Sequence, residues 1–140
     1  MVEKKVTISK HSADRIDNVE IGLAYCYATE IAFKEMSEDD INDFIQNAIH
    51  TIHAGKMPDI KKTLFLIASS HLAYTESHGD RDVTISYGDL ITASTPSEIV
   101  TALVTIIKLR EDFYNVPSGE PEDKPAPDGS PVRREKAKNA

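Results

Sequence analysis

His50 and His53, and a Ser69-Ser70-His71 triplet followed by Asp80 and Asp82, are the side chains whose types and spacing could do chemistry. Three residues apart on a helix, His50 and His53 share a face and could hold a metal ion. Two ligands do not make a site. No HExxH frame surrounds the pair, spacing fixes no third ligand, and Ile49 and Ile52 place it at the edge of a buried stripe. Histidines that are solvated or cap a helix end are the expectation. Ser70, His71 and a nearby Asp are the residue types of a serine triad, yet neither serine lies in a Gly-x-Ser-x-Gly elbow. Such a polar patch on a largely buried helix is expected to be packed or hydrogen-bonded.

The acidic groups admit a similar test. Glu38-Asp39-Asp40, with Asp43, lacks the alternating oxygen ligands, glycine and terminal glutamate of a calcium loop, and reads as helix-start electrostatics. Glu30 and Glu35 could be a catalytic pair only in a cleft with opposed environments; a solvated helix face is the default. Cys26 lies between Tyr25 and Tyr27 with no cation beside it to activate a thiolate, and reads as a small buried residue. Phe113 and Tyr114 either pack on the core or anchor a partner, and Arg133-Arg134 are the basic residues of a second candidate contact. No catalytic, cofactor or metal residue is therefore assigned, and these four are the candidate partner-binding residues.

Positioning these groups falls to a short hairpin and a set of helices. Val6 and Ile8, then Val19, Ile21 and Leu23, alternate as two short strands. The period changes to a helical one from about Tyr25 to Met36. Ser37 followed by three acids predicts the start of a second helix, whose stripe is Ile41, Phe44, Ile45, Ala48, Ile49 and Ile52, with Gly55 as terminator. A third, the most buried, runs past Leu64 to Tyr74, and Val83 and Ile85 read as an extended segment. Ser86 opens a short helix carrying Leu90 and Ile91. Thr95-Pro96-Ser97-Glu98 is a capping box that starts the last helix at Pro96. The fold class is mainly α (α+β): a short N-terminal β-hairpin followed by about four to five packed helices.

Pro117 ends this patterning. Residues 117–140 hold five of the seven prolines, and Val132 is their lone large aliphatic, so the tail is expected to be disordered and residues 1–116 to form one compact domain. The tail's charges balance, which leaves the net charge of −7 on the body. That acidity argues against nucleic acid as a ligand. The single cysteine excludes an internal disulfide, and no stretch has the length of a membrane span, so a cytoplasmic protein off the membrane is expected.

Val19 to Phe33 reads as a hairpin strand entering an aromatic-rich helix, ahead of Met36-Ser37-Glu38-Asp39-Asp40-Ile41-Asn42-Asp43-Phe44 and the capped helix at Thr95-Pro96-Ser97-Glu98-Ile99-Val100. This layout, over roughly Val6 to Tyr114, resembles the tail assembly chaperones of long-tailed bacteriophages and prophages, with Glu30 as the glutamate near the centre of the first helix. The resemblance implies a non-catalytic protein of the bacterial host cytoplasm that binds the tape measure protein and assists assembly of the tail tube protein around it. A homo-oligomer is compatible with it. A head-to-tail connector or tail completion protein is the alternative in the same biology, and a small serine or metal-dependent hydrolase the alternative in another class.

Overall fold

The computed structural model describes residues 1–79 and 83–115. The tail from 117 onward, with Arg133 and Arg134, and also Asp80 and Asp82, lie outside the described residues. A two-stranded antiparallel hairpin comes first: β1 (Val2–Ser12) and β2 (Arg15–Tyr25), paired from Val2↔Tyr25 to Ser12↔Arg15. Five helices follow: α1 (Tyr27–Ser37), α2 (Ile41–His53), α3 (Ile60–Ser77), α4 (Tyr87–Ala93) and α5 (Pro96–Asn115).

The strands are longer than the alternation predicts, at eleven residues each. Extra length comes from polar residues near the turn, where burial no longer marks the period. Ala13 takes a left-handed conformation there, with φ 58°. The other end of β2 is the opposite case: Ile21 to Tyr25 are all buried, because the later helices α3, α5 and α1 pack against this part of the strand. Tyr25 therefore belongs to β2 and not to the first helix. α1 begins after Cys26, whose backbone N–H is met by Thr29 Oγ1 at 3.3 Å.

Ser37 also differs from expectation: it ends α1 instead of capping α2. Its hydroxyl donates to Phe33 O at 2.7 Å, and Glu38 closes the helix in the left-handed region at φ 59°, with its N–H on Lys34 O. Three residues are thereby spent on turning the chain, and α2 starts at Ile41. Gly55 terminates α2 as its sequence position suggests, at φ 74° with its N–H on Ile52 O. Val83 to Ser86 form no strand: Thr84 and Ile85 bend, with their backbone amides taken by the side chain of His71, and Ser86 is extended as it enters the next helix.

Ile8, Leu23, Phe33, Phe44, Ile67, Leu103 and Ile106 share one apolar core between hairpin and helices. The capping box at α5 does more than start a helix. Thr95 N–H donates to Glu98 Oε1 at 3.0 Å and Glu98 N–H to Thr95 Oγ1 at 3.3 Å, while Ser9 of β1 donates to the same carboxylate from its N–H (3.1 Å) and Oγ (2.8 Å). Burial pushes the Glu98 carboxyl pKa up, but these donors outweigh it and hold it below the usual carboxylate range. One side chain thus both caps α5 and fastens it to β1.

α3 sets its own constraint on β2. A methyl group at Gly22 would overlap the ring of Tyr74, so only glycine lets this helix approach so closely. Two outcomes follow. Glu98→Ala should cost about 1–3 kcal/mol in denaturant unfolding, through loss of the cap and of the β1 anchor. Gly22→Ala should cost a similar amount, about 1–3 kcal/mol, from overpacking, and much less in a Tyr74→Ala background, a coupling that a double-mutant cycle reads directly.

Candidate partner-binding surface

The triplet that has the residue types of a triad is a clamp on β2. Ser70 Oγ accepts from Ala24 N–H at 3.0 Å and donates to Ala24 O at 2.9 Å. His71 Nδ1 bonds Gly22 O at 2.8 Å, so Nδ1 carries the proton. Nε2 then accepts from the backbone N–H groups of Thr84 (3.1 Å) and Ile85 (3.4 Å). Ser69 turns elsewhere, its hydroxyl donating to Phe65 O at 2.8 Å. Backbone partners occupy both imidazole nitrogens and the Ser70 hydroxyl, so this pair has no free base to activate a nucleophile. Burial lowers the His71 pKa, in keeping with its neutral role.

His50 and His53 both lie exposed on the last turns of α2, and among the described residues no group of three His, Cys, Asp or Glu side chains is placed to hold a metal ion. Asp39 is paired with Lys62 at 2.8 Å, which lowers the one pKa and raises the other. This tie joins the turn before α2 to the first residues of α3. Cys26 is half-buried at the start of α1.

A different region brings together three of the exposed large apolar side chains, Tyr27, Ile31 and Tyr114. The end of β2, the starts of α1 and α2 and the end of α5 converge on Glu30, in the first turn of α1 and not at its centre. Tyr25 OH donates to Glu30 Oε2 at 2.7 Å, and Tyr114 OH donates to the same oxygen. Burial and then this bond push the Tyr25 hydroxyl pKa up; the bond to Glu30 is the main reason Tyr114 is pushed up to about 12. Arg110 stacks over the Tyr114 ring, 5.4 Å from its centroid, and donates to Asn42 at the start of α2.

Phe113 and Tyr114 divide between the two roles open to them. Phe113 packs inward, its ring 5.7 Å from that of Tyr25 and edge-on to Tyr27 at 5.2 Å. Tyr114 stays 49% exposed, and beside it on α1 Tyr27 is 64% and Ile31 59% exposed. Tyr27 and Ile31, one turn apart, face outward while Thr29 and Phe33 face the core, so α1 is apolar on two sides. Periodicity alone counts all of them into one stripe; the clue to the split is the helical spacing of Thr29 with Phe33. Next to this face, Glu30, Ile31, Glu35, Asp39, Asp40 and Asn42 line a groove of about 460 Å³ between α1 and α2. Ile49, Ile52, Val104 and Ile107 line a second, apolar groove of about 300 Å³ between α2 and α5.

The clamp and the tyrosine pair each carry a pH dependence. A histidine held neutral contributes stability that is full above its unfolded pKa, about 6.5, and declines as the pH falls below that value. Stability should fall by up to about 1.4 kcal/mol per pH unit on acidification from pH 6.5, and His71→Asn should flatten this slope in denaturant titrations at several pH values. Tyr114 should ionise near pH 12 in a tyrosine-resolved NMR titration and return toward about 10 in Glu30→Gln. Comparison with protein-family models, with curated proteins and with solved structures finds no match to this chain.

Proposed function

We propose that this protein is a non-catalytic tail assembly chaperone of a long-tailed phage or prophage, binding the tape measure protein while tail tube subunits assemble around it. The observation that carries the reading is the Tyr27, Ile31 and Tyr114 surface, three large apolar side chains held in the open by a fixed scaffold. Phe113 braces Tyr27, and Glu30 anchors Tyr114. Rigid aromatic groups of this kind provide contact area at little cost in side-chain entropy, and suit the apolar face of a helical client. The hairpin followed by five helices supports the resemblance in layout.

An acidic body suits a holding role as well. Like charge keeps chaperone and client complexes apart while the apolar surface is occupied. Among the described residues no helix is long and apolar enough to cross a membrane.

Co-expression with a candidate tape measure protein, a long chain of helical periodicity, tests the reading. A soluble complex is expected, and Ile31→Glu should weaken it at least tenfold while leaving the thermal melt of the free protein unchanged. An unchanged client solubility with no complex formed overturns it.

A further inference from the structure

The chain leaves the described structure at Asn115, one residue after Tyr114, whose hydroxyl is bonded to Glu30 on the wall of the α1–α2 groove. The remaining sequence therefore sets out from beside that groove. Its charges are segregated. Residues 117–131 hold Glu120, Glu122, Asp123 and Asp128 against Lys124 alone, whereas 132–138 hold Arg133, Arg134, Lys136 and Lys138 against Glu135, next to Val132.

The groove has the opposite character to that second stretch. Glu30, Glu35, Asp39 and Asp40 line it together with Lys34 and the exposed Ile31; Asp39 is already paired with Lys62 and Glu30 with the two tyrosine hydroxyls, which makes Glu35 and Asp40 the carboxylates left to meet a basic segment. We propose that residues 132–138 of this same chain dock in the α1–α2 groove, their basic side chains on its carboxylates and Val132 against Ile31.

Reach and tether favour the contact. Sixteen residues, 116–131, separate Asn115 from Val132; a Gly-rich chain of that length spans about 22 Å root-mean-square, and a Pro-rich one, such as this stretch with five prolines, spans more. That exceeds the roughly 16 Å length of α1, along which the groove runs. A short tether supplies an effective concentration on the order of millimolar, so a weak contact is populated without needing intrinsic tightness. The acidic stretch 117–131 is repelled by the acidic groove and serves as the spacer. Docking there covers the edge of the Tyr27, Ile31 and Tyr114 face, so any partner of that face competes with the chain's own basic segment. The contact goes beyond the chaperone reading, because it needs no client and stands or falls without one.

The test is paramagnetic relaxation in the full chain, with a nitroxide attached through Ala140→Cys in a Cys26→Ser background, where serine keeps a favourable residue at the start of α1. Amides of Ile31, Glu35 and Asn42 should broaden at low salt. The broadening should disappear near 1 M salt, where the screening length is about 3 Å, and in Arg133→Glu with Arg134→Glu. Absence of broadening at these amides overturns the proposal, as does broadening indifferent to salt and to charge reversal. A mixture of nitroxide-bearing and isotope-labelled molecules separates docking within one chain from docking between copies. Broadening that persists in the mixture, where nitroxide and isotope label never share a chain, assigns the contact to a second copy and equally overturns it.

Discussion

A two-stranded sheet has two unpaired edges and too little surface to stand alone, so the hairpin exists only as far as something else satisfies it. On β2 that something is a pair of side chains. Ser70 meets both backbone groups of Ala24 and His71 meets the carbonyl of Gly22, standing in for a third strand with groups from a helix. A buried amide or carbonyl left without a partner would cost about 1–3 kcal/mol, so the register of α3 against β2 is held tightly. The Tyr74 ring lying on Gly22 fixes the same register by shape.

From that contact the rest of the structure is placed outward. His71 also gathers the amides of Thr84 and Ile85, which seats Ile85 in the core and brings the chain round to α4. On the other side of the hairpin, Glu98 ties α5 to Ser9 of β1. With β2 held by α3 and β1 held by α5, Tyr25 at the end of β2 and Tyr114 at the end of α5 arrive at one carboxylate, Glu30. The exposed aromatic face is thus a consequence of the two clamps, and its rigidity is theirs.

Features governed by neighbours in sequence were legible before the structure. The Thr95 to Glu98 box, the α2 stripe from Ile41 to Ile52 and the glycine closing α2 each depend on contacts within a few residues. Features governed by distant contacts were not. Ser37 has the chemistry of a cap, but the left-handed turn at Glu38 comes first and spends the serine on the end of α1. Tyr27 and Ile31 share a helical period with core residues, and only the position of α1 over the core decides which side is wet. The sequence predicts Ser70 and His71 to be packed or hydrogen-bonded, which they are, while their partners on β2, more than forty residues away, carry no sequence signal. Of the four candidate contact residues, Phe113 packs inward, Tyr114 stands open, and Arg133 and Arg134 lie outside the described residues.

Native-state amide exchange at Ala24 tests the central clamp most directly. If the Ser70 hydroxyl closes the edge of β2, the Ala24 amide exchanges only through global unfolding in the native chain, and Ser70→Ala raises its rate selectively over that of core amides such as Leu103. An Ala24 amide that exchanges as fast as a frayed strand end in the native protein would contradict the account, because β2 would then be held by apolar packing alone.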